Sequence, residues 1–387
     1  MKKIAIIGAG PAGLMAAATL LEANVPAEIY LFEKNNSLGQ KILLTGGGRC
    51  NLTTGLEKRK EILEKYTRGG EFIEYALNNF PPKKVREWFF AHGLKTKVEP
   101  DNKVYPVSNN AQDVVNVFIN IFKKYKNIKI LLNTEIKKID KNNFDYSIIA
   151  TGGKSREYFG HKTTKLAPSL TSFETQEKWS HELSGLSLEN CRIKYNDHYL
   201  DGHFLFTHYG ISGPVVFSLS SKIAYENISS QKPYKIKLII DAQKDFASWD
   251  KILTEKFNLN GAKALKNILA EFIAKKFVDK ILLLAKIDSL KKAAKISKFE
   301  RQKISKLLGN GIELNLLSRR AGEEMLTAGG VDLAQIDPKT CMSKIMPNLF
   351  FCGEILDVDA VTGGFNLQNC WMTARLAAQA IIDKIAL

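Results

Sequence analysis

Apolar and polar positions fall into two rhythms along this 387-residue chain. Ile4-Ala5-Ile6-Ile7 is a short unbroken apolar run, suited to a parallel strand buried on both faces. Gly8-Ala9-Gly10-Pro11-Ala12-Gly13 follows at once and leads into a helical run from Leu14 to Glu22. Ile29-Tyr30-Leu31-Phe32 predicts a second strand, ending at Glu33. Strand, glycines, helix, strand and acid make a dinucleotide fingerprint in its required context. Gly8 allows the tight turn, Gly10 lets the backbone approach a pyrophosphate, and Gly13 lets helix and strand pack closely. The helix start offers free N–H groups and a positive dipole end. Glu33, twenty residues after Gly13, is placed to accept hydrogen bonds from ribose hydroxyls.

The same apolar rhythm returns at Asp145 to Ile149, closing on Ala150-Thr151-Gly152-Gly153, and at Leu349-Phe350-Phe351, closing on Gly353. Leu367 to Ile382 reads as a helix opened by Gly363 and Gly364. Between Ala242 and Leu308 the period is helical: Leu265, Ile268, Leu269, Phe272, Phe277, Ile281 and Leu284 recur at three-and-four spacing with lysines opposite. Length predicts two or three domains at about 150 residues each.

Charge changes the picture. Lys and Arg number 56 against 40 Asp and Glu, a net +16, and only ten of the 56 are Arg. From Asp250 to Leu308 fifteen cations face six acids, so +9 of the excess sits in this one segment. Lysine-rich helices usually carry balancing acids, and these carry few. A surface of that kind attracts a polyanion. The five cysteines, Cys50, Cys191, Cys341, Cys352 and Cys370, form no CxxC, which argues for a reducing cytoplasm and against a disulfide framework. His198, His203 and His208 are spaced by five, which matches no common zinc pattern, so no metal is expected. Lys2-Lys3 and the apolar run behind them resemble a leader, but the glycines of the fingerprint interrupt it. No run of eighteen apolar residues is present, and a cytoplasmic protein without a membrane span is expected.

Gly39-Gln40-Lys41-Ile42 and Thr45-Gly46-Gly47-Gly48-Arg49-Cys50-Asn51 supply a second glycine cradle with a cation, Arg49, beside it. This run resembles the pattern G-R/Q-K-I-L-x-S/T-G-G-G-R-C-N of a bacterial FAD-dependent flavoprotein family, known as aminoacetone oxidase-like or NAD(P)/FAD-dependent oxidoreductases. Thr327-Ala328-Gly329-Gly330-Val331, Asp337-Pro338-Lys339-Thr340-Cys341-Met342 and Gly353-Glu354-Ile355-Leu356-Asp357-Val358-Asp359 with Thr362-Gly363-Gly364-Phe365-Asn366 resemble its C-terminal motifs. Leu205-Phe206-Thr207-His208-Tyr209-Gly210-Ile211-Ser212-Gly213-Pro214 resembles a further family loop, expected near the flavin.

The resemblance implies an α/β fold of the FAD-binding, Rossmann-like, two-dinucleotide-binding-domain type with a discontinuous insertion. The expected division is 1–153 and 326–387 for the FAD-binding domain, 154–241 for a β-rich insertion, and 242–325 for a helical basic subdomain. It implies tightly bound FAD held by Gly8, Gly10, Pro11, Ala12, Gly13, Glu33, Lys34, Lys41, Gly48, Arg49, Cys50 and Asn51. Thr151, Gly152, Gly353, Glu354, Thr362, Gly363, Gly364, Phe365 and Asn366 complete the set, with Glu354 on the ribityl hydroxyls. Strands at about 128–132 and 134–139 would bring the backbone of Ile136 beside the adenine. The C-terminal helix start would stabilise a reduced, anionic flavin by about 1 kcal/mol or more.

No second G-x-G-x-x-G follows a later strand, so NAD(P)H is expected only as a transient electron donor. Relatives linked to ribosomal RNA imply a reductase that adds hydride to C6 of a uracil while an acid protonates C5. Cys50 and His208 are the candidate acids. Such a uracil must lie outside a base stack. The alternatives are a small-molecule flavin oxidoreductase (an amine oxidase, or a reductase of an enone such as a steroid) and a non-catalytic RNA-binding flavoprotein. The chain departs from the family after Gly153, where Lys154 to His161 replaces a longer stretch, and this bears on the substrate.

Overall fold

The computed structural model describes residues 1–138, 143–153 and 158–386. The departure at 154–157 therefore lies outside the described residues. The chain divides into two compact units, residues 1–169 with 326–387, and residues 170–325.

The first unit is built on a five-stranded parallel sheet. Lys2–Ile7 lies at its centre, flanked by Ala27–Phe32 and Tyr146–Ile149, with Ile128–Leu131 and Leu349–Phe351 outermost. Ile4 pairs with Ile29 on one side and Tyr146 on the other. The apolar run is unbroken because both faces are covered: Ile4 and Ile6 have no exposed surface. The helix Pro11–Glu22 follows the central strand and is buried from Pro11 to Leu21. The helix Phe365–Ala386 packs beside it, starting two residues before the periodicity predicts. Its buried face carries Trp371, Met372, Ala374, Ala377, Ala378 and Ile381. The expected strand over 134–139 is absent from residues 134–138, and 139–142 lie outside the described residues. There the backbone instead bonds back to the second strand's end, Thr134 N–H to the Glu33 carbonyl at 2.8 Å and Asn133 N–H to that of Asn35 at 3.0 Å.

The second unit is a closed barrel of six strands with helices packed against it. Phe173–Thr175, Gly210–Ser212, His198–Thr207, Ser187–Tyr195, Tyr234–Ile239 and Ile312–Arg319 follow one another around it. Phe204, Phe206, Ile236, Leu238, Leu314 and Leu316 alternate inward and are buried, as the two-residue strand period requires. The helices Phe246–Leu259, Leu265–Leu269, Lys275–Ala285 and Lys298–Gly309 occupy the stretch with helical period. Phe272, expected in their apolar stripe, is 37% exposed.

The chain divides after Ser169, not after Gly153, because Ala167–Ser169 pairs antiparallel with Leu326–Ala328 of the first unit. The expected helical basic subdomain, 242–325, also ends its helices at Gly309. Ile312–Arg319 then returns as a strand, pairing with both Tyr234–Ile239 and Phe173–Thr175, and so closes the barrel.

Candidate cofactor site

The turn between the central strand and the first helix is shaped by close approach. A β-carbon on Gly13 would fall 1.8 Å from the Gly8 carbonyl oxygen, and one on Gly8 would fall 2.5 Å from that of Ala150. Neither position tolerates a side chain. Gly10, the N-cap, has extended backbone (φ −76°, ψ −172°), and Pro11 stands at the first helical position, where its missing N–H costs nothing. A β-carbon on Gly10 would meet no protein atom within 4 Å. Glycines that face the strand–helix contact are closed, while the one at the helix mouth is open.

Glu33 locks this loop to the second strand. Its buried carboxylate accepts from the Ala9 N–H at 2.8 Å, and from the Asn35 N–H and side-chain amide at 2.9 and 2.6 Å. Lys34 beside it is exposed. Ile136 is half-buried and packs on the core from the segment that follows Thr134.

The second cradle is a single 3-10 turn, Thr45–Gly48, with Gly46 and Gly47 in the left-handed region and Gly46 to Gly48 exposed. Arg49 does not stand free beside it. Its guanidinium makes a two-pronged pair with Glu99 at 3.0 and 3.1 Å and lies 3.7 Å from the Tyr105 ring centre. Glu99, and then Tyr105, raise its pKa further above the ordinary arginine range. Through these contacts Arg49 staples the loop to the Lys103–Pro106 hairpin. Asn51 does similar work, accepting from the Val104 N–H at 3.3 Å. Cys50 has no exposed surface, and burial pushes its thiol up to about 12 against a weaker opposing bond from Thr45.

At the sheet's far side, Thr151 and Gly152 follow the strand Tyr146–Ile149. A β-carbon on Gly152 would meet nothing within 4 Å, and the Thr151 hydroxyl is buried without a hydrogen-bond partner. Gly153, in contrast, is closed: a β-carbon there would lie 2.7 Å from Glu354 Oε1. Glu354 is buried, pairs with Lys41, and accepts from the Thr327 N–H at 3.1 Å. Sequence separation hides this pair, since Lys41 and Glu354 are 313 positions apart.

The start of the C-terminal helix is held from several directions. Asn366 bonds both the N–H and the carbonyl of Ala360, at 3.0 and 2.9 Å. The Tyr66 hydroxyl donates to the Phe365 carbonyl at 2.8 Å, and the two rings meet edge to face. Gly364 crosses the Thr53 backbone so closely that a β-carbon would lie 2.2 Å from its carbonyl oxygen. Thr362 and Gly363 precede it, half-buried. Sequence reasoning missed a supporting layer. Arg68 pairs with the buried Asp359. Thr373 receives the Gly353 N–H at 2.9 Å. Asn369, one turn earlier, keeps a buried Oδ1 without a partner. Polar residues at i and i+4 inside an otherwise apolar helix were the available signal for the last two.

These observations test the fit of a dinucleotide. Open β-carbon positions at Gly10 and Gly152, a helix start, a buried acid at the second strand's end and an unpartnered Thr151 hydroxyl are what a bound FAD requires. The residues fit. His208 belongs to the second unit, exposed in the turn between His198–Thr207 and Gly210–Ser212, with its ring 4.8 Å from that of Tyr209.

The basic stretch of the second unit is partly neutralised. Lys256 and Lys263 share Glu271, Lys291 meets Glu300, Lys280 meets Glu182, and Arg301 meets Asp250. Among the described residues, Lys251, Lys275, Lys276, Lys286, Lys292, Lys295 and Lys306 are exposed and make no salt bridge. Exposed apolar groups lie among them: Leu259, Leu283, Leu290 and Phe299 are each at least 63% exposed, and Lys303 sits 4.7 Å from the Phe299 ring centre. No helix among the described residues is long and apolar enough to cross a membrane. No cluster of His, Cys, Asp or Glu among them has the arrangement to hold a metal.

Residues 2–380 match the family described as HI0933-like protein Rossmann domain. Among curated proteins the chain is 25% identical, over 99% of its length and all of the relative's, to a 3-dehydro-bile acid delta(4,6)-reductase of Clostridium scindens. It is 26% identical to a ribosomal RNA dihydrouridine synthase of Escherichia coli and 28% identical to one of Haemophilus influenzae, with 97% of each chain covered in both comparisons.

Proposed function

The chain belongs to the HI0933-like Rossmann family and is an FAD-dependent oxidoreductase, and from that premise we propose that it reduces the C5=C6 double bond of an unpaired uracil in ribosomal RNA. The names of the curated relatives describe reduction of a carbon–carbon double bond on two very different carriers, a bile acid and an RNA. The basic helical stretch of the second unit carries the choice between them. A bile acid brings a single carboxylate to these exposed lysines, whereas an RNA backbone brings a phosphate to each and releases a counterion each time. Exposed Phe299 adds a face on which a base can stack.

FAD, when bound and reduced, supplies the hydride for such a double bond. Gly10 and the N–H groups opening the first helix would hold its pyrophosphate, Glu33 its ribose, and the Lys41–Glu354 pair with Thr151 the far half. The start of the C-terminal helix, fixed by Asn366 and Tyr66, would favour a reduced, anionic ring. Cys50 keeps its proton inside the loop and shapes it. His208, exposed in its turn, is the group we assign to deliver the proton to C5. NAD(P)H is the proposed donor, binding transiently because the sequence carries a single G-x-G-x-x-G.

Mass spectrometry of ribosomal RNA from cells with and without the gene tests this reading. Loss of dihydrouridine at one or more positions is expected, and unchanged dihydrouridine would sink the RNA substrate. The small-molecule reading is favoured by the full-length match to the bile acid reductase. NAD(P)H consumption driven by a 3-dehydro bile acid, with unaltered RNA, would establish it instead.

A further inference from the structure

The Asp337-Pro338-Lys339-Thr340 turn lies outside the residues assigned to the cofactor, yet it is firmly built. Asp337 accepts the Lys339 N–H on its carboxylate and the Cys341 N–H on its carbonyl, both at 2.8 Å. Thr340 Oγ1 accepts the Met342 N–H at 3.2 Å, which leaves its own proton to donate. The turn forms one wall of a half-open groove of about 480 Å³ in the first unit. The C-terminal helix contributes Met372, Arg375, Leu376 and Lys384 to the lining, and the helix Glu74–Asn79 with Phe80 contributes Tyr75 and Phe80.

Arg375 is the unusual member. It is half-buried, its guanidinium lies 4.7 Å from the Phe80 ring centre, and its Nη1 is buried with no hydrogen-bond partner. A guanidinium held against a ring and left without an acceptor is prepared for an oxyanion from outside the chain. Burial lowers its pKa from the ordinary arginine value, against a weaker pull from Glu22. Glu22 is itself occupied, accepting from Trp88 Nε1 at 3.0 Å and pairing with His92 at 2.5 Å. Lys339 and Lys384 are exposed and make no salt bridge among the described residues. The groove's one acid, Asp383, already accepts from Gln379 at 2.8 Å.

We propose that this groove is a second anion site, distinct from the dinucleotide cradle, that binds the phosphate group of a small phosphomonoester. Arg375 presents the fork, Thr340 a hydroxyl donor, and Lys339 and Lys384 the flanking charges. Three cations and a hydroxyl suit a dianion with three terminal oxygens better than a carboxylate. The apolar lining at Met372, Leu376 and the Tyr75 ring would take the organic part. A phosphodiester within RNA offers related chemistry, so the test separates the two.

FAD-loaded protein, its cofactor site filled, is titrated with inorganic phosphate and with uridine 5′-monophosphate, followed by phosphorus NMR line broadening. Saturable binding is expected. Arg375→Gln should weaken it about tenfold or more, and Lys339→Gln or Lys384→Gln about two- to fivefold. Lys232→Gln, on an exposed lysine outside both proposed binding surfaces, should leave it unchanged. Binding of a single-stranded RNA without terminal phosphates should be the same in Arg375→Gln as in the parent, and FAD content equal throughout. If Arg375→Gln fails to fold, the two exposed lysine variants still read the loss. Four results would overturn the proposal: no saturation below about 10 mM, equal affinity in every variant, loss of RNA binding along with phosphate, or loss of FAD along with phosphate.

Discussion

Gly10→Val separates cofactor binding from folding. The N-cap backbone is extended at φ −76° and ψ −172°, a conformation that a β-branched residue adopts without strain. Its β-carbon enters open space, with no protein atom within 4 Å. Replacing glycine removes unfolded-state freedom worth about 0.4–1 kcal/mol. Valine is a poorer N-cap than glycine by about 0.5–1 kcal/mol, which offsets the gain. The FAD-free forms of parent and variant should therefore melt within about 2 °C of each other. Cofactor binding should respond differently, because the new side chain stands where the pyrophosphate must approach. Losing two charge-assisted backbone hydrogen bonds at about 1.5–3 kcal/mol each weakens FAD by two to four orders of magnitude. The assay pairs thermal melting of the FAD-free proteins with fluorescence titration of FAD. A variant that binds FAD within about threefold of the parent would refute the placement of the pyrophosphate at this helix start. A variant whose FAD-free form is already unfolded would refute the claim that Gly10 faces open space.

Gly13→Ala should fail in the opposite way. Its β-carbon meets the Gly8 carbonyl oxygen at 1.8 Å, so the FAD-free protein itself should be destabilised by about 3 kcal/mol or more, read by urea unfolding. Gly153→Ala pushes on Glu354 Oε1 and should lower both melting temperature and FAD content, with about 1–3 kcal/mol lost to overpacking. Asp357 is half-buried with an unpartnered Oδ1, and desolvation raises its pKa despite an opposing bond from Thr164. The folded state then holds this proton more tightly than the unfolded chain, so stability falls as pH rises through the raised value. Asp357→Asn should therefore melt higher than the parent at neutral pH, and the gap should close once the pH drops below the ordinary carboxylate range. His208→Asn should retain FAD and RNA affinity while slowing dihydrouridine formation about 10²-fold or more, measured in single-turnover reactions. Unchanged turnover would remove His208 from the proton path. Lys275→Glu with Lys276→Glu should weaken RNA binding and flatten its dependence on salt, and salt-independent binding by the parent would discredit the basic stretch as the RNA contact.

Much of the first unit was legible because its signals are local. An apolar run buried on both faces, a glycine that admits no β-carbon and a proline at a first helical turn each report on sterics within a few residues. They located the central strand, its turn, the first helix and the start of the C-terminal helix. The three-and-four period likewise marked the helices of the second unit. Outcomes that depended on distant partners were not legible. Arg49 looked like a free cation beside a glycine loop, but Glu99 and Tyr105 claim it. Glu33 and Glu354 looked available to sugar hydroxyls alone, but the first also ties down Ala9 and the second also holds Lys41. The strand Ile312–Arg319 sat at the end of a lysine-rich helical stretch, and its place in the barrel follows only from partners it meets at Tyr234–Ile239 and Phe173–Thr175. Arg375 was one cation among 56 until folding laid it on Phe80 opposite Lys339 and Thr340. By itself the amino-acid order determined where the backbone turns and which faces are apolar, since those follow from neighbours in the chain. Which charge meets which, and which is left without a partner, was decided only when packing brought remote segments within hydrogen-bond distance.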